Sequence, residues 1–273
     1  MFQIRFIAFI GIAFLLSCSG RTDNSLEVIN STSFSEKQIT LENSVMQRLS
    51  SDLQAPDPRE NIHEQNILDE KMNKMISATE NVRKTKSDSA WKVLSANWED
   101  FRKNHVGTDG MPFVSDSIAK PESTRIARKW AELNDRLLKL SGEVRFGDAL
   151  EKILYESKVP VLAEKFLKSA IYTHIDDQIF INVFGSSILI HHHTTGGTIK
   201  LIQETNYPAS HELTLKCECN DVRYLNVFIR IPLWATNPTV THGNVKYIPH
   251  PGEYCQISRM WRDGDEIRVT LKN

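Results

Sequence analysis

Apolar residues recur along this chain with two different periods, and the change falls near Tyr172. Upstream, apolar positions lie three and four residues apart. Residues 61–83 are mostly polar, with Ile67, Leu68, Met72, Met75 and Ile76 scattered among them, which predicts a helix with a thin apolar stripe. Ser87 or Asp88 is placed to cap the next helix, where Trp91, Leu94, Trp98 and Phe101 form one face. A loop with two Gly and two Pro follows over 107–121. Ile126, Ala127, Trp130, Ala131, Leu133, Leu137 and Leu138 define a third helix over 123–140, and Gly142 suits its C′ position. Phe146, Ala149, Leu150, Ile153 and Leu154 predict a fourth helix, and 161–171, after Pro160, a fifth.

From Tyr172 onward the period is two. Ile179, Ile181 and Val183 alternate against Phe180, Asn182 and Phe184. Leu213, Leu215, Cys217 and Cys219 do the same, as do Leu225, Val227, Ile229 and Ile231. Stretches 188–190, 199–203, 245–248, 254–257 and 267–271 bring the number to about eight short strands, separated by Gly, Pro, Asn and Asp. The predicted fold is α+β: a helical part followed by an antiparallel β-sandwich.

The first residues follow neither period. Arg5 precedes an apolar run of eleven residues over 6–16, and Leu15-Leu16-Ser17-Cys18 follows. A membrane span needs about 20 apolar residues, so this run fits a secretory signal. Its end resembles the lipobox of bacterial lipoproteins, in which the cysteine is acylated and becomes the first residue. The expectation is lipidation at Cys18, with two or more acyl chains as the membrane anchor. Ser19, with no acidic residue after the cysteine, points to the outer membrane. Residues 19–60 begin rich in Ser, Thr and Asn and read as a flexible tether. The expected division is therefore 1–18 signal and lipobox, 19–60 tether, 61–171 helical domain and 172–273 β-sandwich.

The chain has 273 residues, a formal net charge of −1 and 40% hydrophobic residues. With signal and early tether removed, about 235 residues remain, enough for two modest domains. Without a basic excess, no nucleic-acid partner is expected. Neither a phosphate-binding glycine loop nor a dinucleotide fingerprint is present, and no cofactor is expected. Cys217 and Cys219 share a strand face. Either is free to pair with Cys255, or all three act as small apolar fillers. His191-His192-His193, with His211 nearby in sequence, is open to two readings: a divalent-ion pair on one strand face, or a polar strand end running into a turn. The second is preferred, and no resident metal is expected. Tyr207, Tyr224, Tyr247 and Tyr254 are candidates to stack on sugar rings, or to pack across strands.

Four phrases in the β half carry more than periodicity. They are Gln203-Glu204-Thr205-Asn206-Tyr207-Pro208, Ile229-Arg230-Ile231-Pro232-Leu233-Trp234-Ala235, Pro251-Gly252-Glu253-Tyr254 and Arg259-Met260-Trp261-Arg262-Asp263-Gly264-Asp265. In this order and spacing they resemble the β-sandwich of the β-L-arabinofuranosidase-type glycoside hydrolases, family 127. The helical stretch 130–155, with Arg145-Phe146-Gly147-Asp148-Ala149-Leu150, resembles the last helices of that family's α/α barrel. The likeness runs over roughly 105–273 and implies a truncated barrel remnant joined to the sandwich. It also implies a cysteine nucleophile held as thiolate by zinc, with a Glu and further Cys as ligands and a separate Glu as acid/base. Here the Glu-x-Cys pair falls on Ser123 and Arg125, and only residues 156–160 stand where the Cys-Cys segment belongs. No catalytic residue is therefore carried over. Asp116 and Glu122 lie where the family keeps acids and are candidate glycan-contact remnants, with solvated loop acids as the plainer reading.

Three functions follow as expectations. One is a lipid-anchored, carbohydrate-associated and non-catalytic envelope protein that binds glycan or docks an envelope partner. Another is an active glycoside hydrolase in which two acids such as Asp116 and Glu122 replace the thiolate chemistry. The last is a purely structural envelope lipoprotein.

Overall fold

The computed structural model describes residues 27–30, 58–112, 123–155, 166 and 169–272. Cys18, Asp116, Glu122 and most of the helix expected over 161–171 lie outside them. The described residues fall into two compact units: one takes in Glu27–Asn30, Ser141–Gly147 and the chain from 169 on, and the other the rest of the helical stretch.

Four long helices are α1 (Pro58–Thr85), α2 (Asp88–His105), α3 (Ser123–Ser141) and α4 (Val144–Tyr155). Ser87 caps α2, its hydroxyl accepting from the Ala90 amide at 3.3 Å. Trp91, Leu94, Trp98 and Phe101 form the buried face of α2. The Trp98 and Trp130 rings stack at 5.6 Å, and the Trp98 indole N–H donates to Asn134 at 2.9 Å. Asn134 in turn donates to the Trp130 carbonyl, while the Trp130 indole nitrogen is buried without a protein partner. Gly142 follows α3 at φ +67°, the left-handed C′ conformation that glycine takes without a Cβ penalty.

The sandwich has a seven-stranded and a four-stranded sheet. The strands are β1 (Glu27–Asn30), β2 (Tyr172–Ile175), β3 (Gln178–Ile181), β4 (Ser187–His192), β5 (Thr198–Thr205), β6 (Glu212–Cys219), β7 (Arg223–Arg230), β8 (Thr236–His242), β9 (Val245–Tyr247), β10 (Tyr254–Trp261) and β11 (Glu266–Lys272). The larger sheet runs β1-β4-β5-β6-β11-β8-β9 and the smaller β10-β7-β3-β2. Leu189, Leu201, Leu215, Val240 and Val269 are buried on the larger sheet's inner face. Ile179, Ile181, Val227, Ile229, Ile257 and Trp261 are buried on the smaller one. The period-two pattern thus predicts which face turns inward.

The structure departs from the sequence expectations in four places. Glu27–Asn30, inside the stretch read as a tether, pair antiparallel with β4 at the edge of the larger sheet. The β-branched pair Val28-Ile29 suits a strand, and pairing covers an otherwise open edge. α1 begins at Pro58, three residues earlier than expected, with Pro at its first position. β3 and β7 pair in parallel, so the sandwich is not wholly antiparallel. That pairing is reached through β4, β5 and β6 of the other sheet, the long crossover a parallel pair requires. β8 is absent from the expected strands because Pro238 interrupts it. Asn237 stands at φ +50° and the β8–β11 register shifts there, so the proline falls at a bulge.

Candidate functional site

The four family-like phrases are scaffold. Arg230 is fully buried at the end of β7, donates to the Asn182 carbonyl and lies over the Phe184 ring. The Ile231 amide donates to Glu253 at 2.8 Å and the Gly252 amide to Ile231 at 2.9 Å, so the second and third phrases meet as one corner. Trp234 packs against His211 there, at 4.9 Å between rings. The buried Trp261 donates its indole N–H to the Leu225 carbonyl. Gly264, at φ +79°, turns β10 into β11 as the Asp-Gly-Asp sequence predicts.

The sandwich also holds a compact group of ionisable residues. Asp177 leaves the β2–β3 turn and accepts from His191 Nε2 at 2.9 Å, the Thr194 amide at 3.0 Å and the Thr194 hydroxyl. His193 Nε2 lies 3.4 Å from the same carboxylate and donates to the Tyr224 carbonyl at 3.0 Å. His193 Nδ1 accepts from the Thr195 amide at 3.1 Å, which leaves the ring proton on Nε2. The His174 ring stands edge-on to His191 at 5.7 Å. Burial raises the Asp177 carboxyl, but hydrogen bonds from Thr194 and His191 outweigh it and hold the group below its ordinary range. For His191 burial dominates over the Asp177 hydrogen bond and lowers the imidazole. His191 and His193 do share a face, as strand alternation predicts. They meet a carboxylate whose hydrogen bonds are already satisfied by protein donors, and the group reads as a clamp between the two sheets. His192 is exposed and His211 lies apart, between Tyr207 and Trp234.

Among the described residues, none offers the zinc–thiolate centre that the family resemblance implies. Ser123 opens α3, and Arg125, two residues on, faces Asp69 at 3.6 Å. Cys217, Cys219 and Cys255 are all free thiols. Cys217 and Cys219 lie 4.0 Å apart, and Cys255 is on the other sheet, opposite Ile229. Burial raises all three, Cys255 to about 11, the reverse of what a thiolate nucleophile needs. Among the described residues no group of three or more His, Cys, Asp or Glu is arranged to hold a metal ion.

Of the four tyrosines, Tyr207 is buried against Phe184. Tyr254 donates its hydroxyl to Asn182 Oδ1 at 2.6 Å. Tyr247 is half-buried on β9. Tyr224 alone of the four is a freely presented ring, 48% exposed. Asp177 is absent from the sequence-derived candidates. Its signal was an Asp-Asp turn between two strand-like runs, weak without knowledge of which strand end it faces.

Residues 178–273 match the family model of the β-L-arabinofuranosidase GH127 middle domain. No curated protein matches the chain. Among solved structures, one described as a glycoside hydrolase is similar at 16% identity and TM-score 0.62, over 72% of this chain and 45% of that one. A GH127 β-L-arabinofuranosidase from Geobacillus stearothermophilus T6 is similar at 18% identity and TM-score 0.62, over 73% and 41%. A GH127 β-arabinofuranosidase is similar at 17% identity and TM-score 0.61, over 74% and 42%. The chain resembles these enzymes in fold, and it spans less than half of their length.

Proposed function

We propose that this is a lipid-anchored, carbohydrate-associated envelope protein whose glycoside-hydrolase-like sandwich binds glycan, or docks an envelope partner, without hydrolysing it. The observation that carries the reading is the sandwich itself. Its last 96 residues, 178–273, match the middle domain of a glycosidase family. Support for the missing chemistry comes from the donor set. Ser123 and Arg125 stand at the family's ligand positions, and the thiols lie in the sandwich, Cys217 and Cys255 buried and Cys219 half-buried, all three pushed up by burial. A thiol that burial disfavours as thiolate makes a poor nucleophile. Export and the Cys18 anchor belong to the same reading and rest on the signal-like N-terminus.

The test is turnover of aryl glycosides, β-L-arabinofuranoside among them, by the full chain with and without added zinc. The expected result is no turnover in either condition. Zinc-dependent hydrolysis would overturn the non-catalytic reading and reopen the ligand assignment. Zinc-independent hydrolysis lost on Asp116→Asn or Glu122→Gln would establish a rebuilt carboxylate mechanism instead.

A further inference from the structure

We propose that Thr195, His193 and Asp177 form a nucleophile–base–carboxylate relay that hydrolyses carboxylic esters. The activity goes beyond the glycan reading and does not depend on it. The Thr195 hydroxyl lies 2.9 Å from His193 Nδ1. The Thr195 amide donates to the same nitrogen at 3.1 Å, so in the neutral ring Nδ1 carries no proton and the hydroxyl is a donor to it. The ring proton is on Nε2, held by the Tyr224 carbonyl at 3.0 Å, with the Asp177 carboxylate 3.4 Å away. This is the order that activates a hydroxyl: the nucleophile lies on the free ring nitrogen, the other nitrogen is fixed, and a carboxylate stands by to stabilise the imidazolium that forms. Such a constellation is recognised by geometry and roles, whatever fold carries it.

The turn does not need the hydroxyl contact to hold its shape. The Gly196 amide donates to the His193 carbonyl at 2.8 Å and the His193 amide to the Gly197 carbonyl at 3.0 Å, which closes it through the backbone. The two neighbouring threonines divide the work. Thr194 gives its amide and hydroxyl to Asp177, which holds the carboxylate in place and ionised. Thr195 is exposed, and the base beneath it is buried. Nothing stands within 4 Å of a Cβ added at Gly196, the next residue, so an acyl group has room there. A Cβ added at Gly197 would lie 3.3 Å from the Arg223 guanidinium, which also donates to the Gly196 carbonyl at 3.1 Å. That guanidinium, paired with Asp221 at 3.1 Å, brings a cation to the turn where an attacked carbonyl develops negative charge. In the reaction the Thr195 oxygen bonds to the acyl carbon and its proton passes to His193 Nδ1. The bond to the leaving oxygen breaks, and that oxygen takes the proton. Water then adds to the acyl-threonine and gives a proton to His193, which returns it to the Thr195 oxygen as the carboxylic acid departs. An ester suits this relay because its leaving oxygen needs only the one proton that His193 holds.

The experiment assays the full chain in detergent micelles with 4-nitrophenyl acetate, beside the same sample unfolded in urea. The wild type is expected to show saturable turnover well above the unfolded chain. Thr195→Val removes the hydroxyl at an exposed position and should cut kcat/KM at least about tenfold, while Thr195→Ser keeps it and stays within about threefold. Both variants should unfold at the wild-type urea midpoint, so that a loss of turnover is a loss of the hydroxyl. Mass spectrometry after an acid quench should find the acetyl mass on residue 195. Acetate release from acetylated xylan would place the ester on a glycan, and release from triacetin alone would place it on glycerol; the relay stands in either case. Wild-type turnover no faster than that of the unfolded chain, turnover that survives Thr195→Val, or acetyl carried only on other residues would overturn the relay. None of those three results touches the glycan reading, whose own test is the aryl glycosides.

Discussion

The Tyr172 hydroxyl sits where the two sheets meet. It lies 2.9 Å from the Ser187 hydroxyl and accepts from the Gln203 amide, and burial pushes its ionisation up to about 12. It is therefore a neutral hydrogen-bonding group at any working pH. Gln203 Oε1 already lacks a protein partner, so Tyr172→Phe leaves a buried polar site emptier still. A loss of about 1–3 kcal/mol is expected, read as a lower urea midpoint with an unchanged slope. The Asp177 clamp adds a pH dependence. The folded Asp177 carboxyl lies below its ordinary value, so its contribution is present above that value and is lost as pH falls through the folded one. Folded His191 lies below its ordinary 6.5, so the folded state takes up its proton later than the unfolded chain does. Stability then starts to fall as pH drops below 6.5. His191→Gln keeps a donor for Asp177 and has no proton to gain, so urea midpoints measured from pH 8 to 4 should lose the upper part of that decline. An unchanged acid slope would mean that His191 is not the group responsible. Little of this clamp was legible in the sequence. His191 and His193 could be put on one face by alternation, but their partner comes from a turn on the other sheet.

At the scale of elements, the β10–β11 turn is the clearest case of sequence dictating geometry. Gly264 holds φ +79° between Asp263 and Asp265, and nothing stands within 4 Å of an added Cβ. Gly264→Val therefore meets backbone strain with no clash, and a loss of about 1–2 kcal/mol is expected by thermal unfolding. A larger loss would mean that the turn has no way to relax. The elements that were legible share this local character. α2 and α3 follow from stripes of Trp and Leu at helical spacing, and most strands of the sandwich from alternation broken by Gly, Pro and Asn. The elements that were missed depend on distant partners. β8 carries a proline that only a bulge against β11 accommodates. β1 is four residues that become a strand because β4 offers an open edge. The parallel β3–β7 pairing is a fact of crossover, which period-two alternation does not encode.

At the scale of the whole molecule, the proposed membrane attachment divides the work cleanly between chain and lipid. No helix among the described residues is long and apolar enough to cross a membrane, and the sequence is close to neutral, with a net charge of −1. The overall charge therefore gives the chain no general attraction to anionic lipid. Under the proposed anchoring, attachment comes from acyl chains on Cys18, each buried methylene worth about 0.8 kcal/mol, and more than one chain is needed for stable binding. Cys18→Ser removes the acceptor thiol and leaves the folded units untouched. Fractionation of cells carrying the wild-type chain should place it with the membranes, and mass spectrometry should find the acyl mass on the residue at 18. The variant should lose that mass and move almost wholly to the soluble fraction, with the same unfolding profile as the wild type. If it stayed with the membranes and resisted high salt, attachment would have to come from the protein itself, and the sandwich surface around Tyr224 and Met260 would be the first place to look for it.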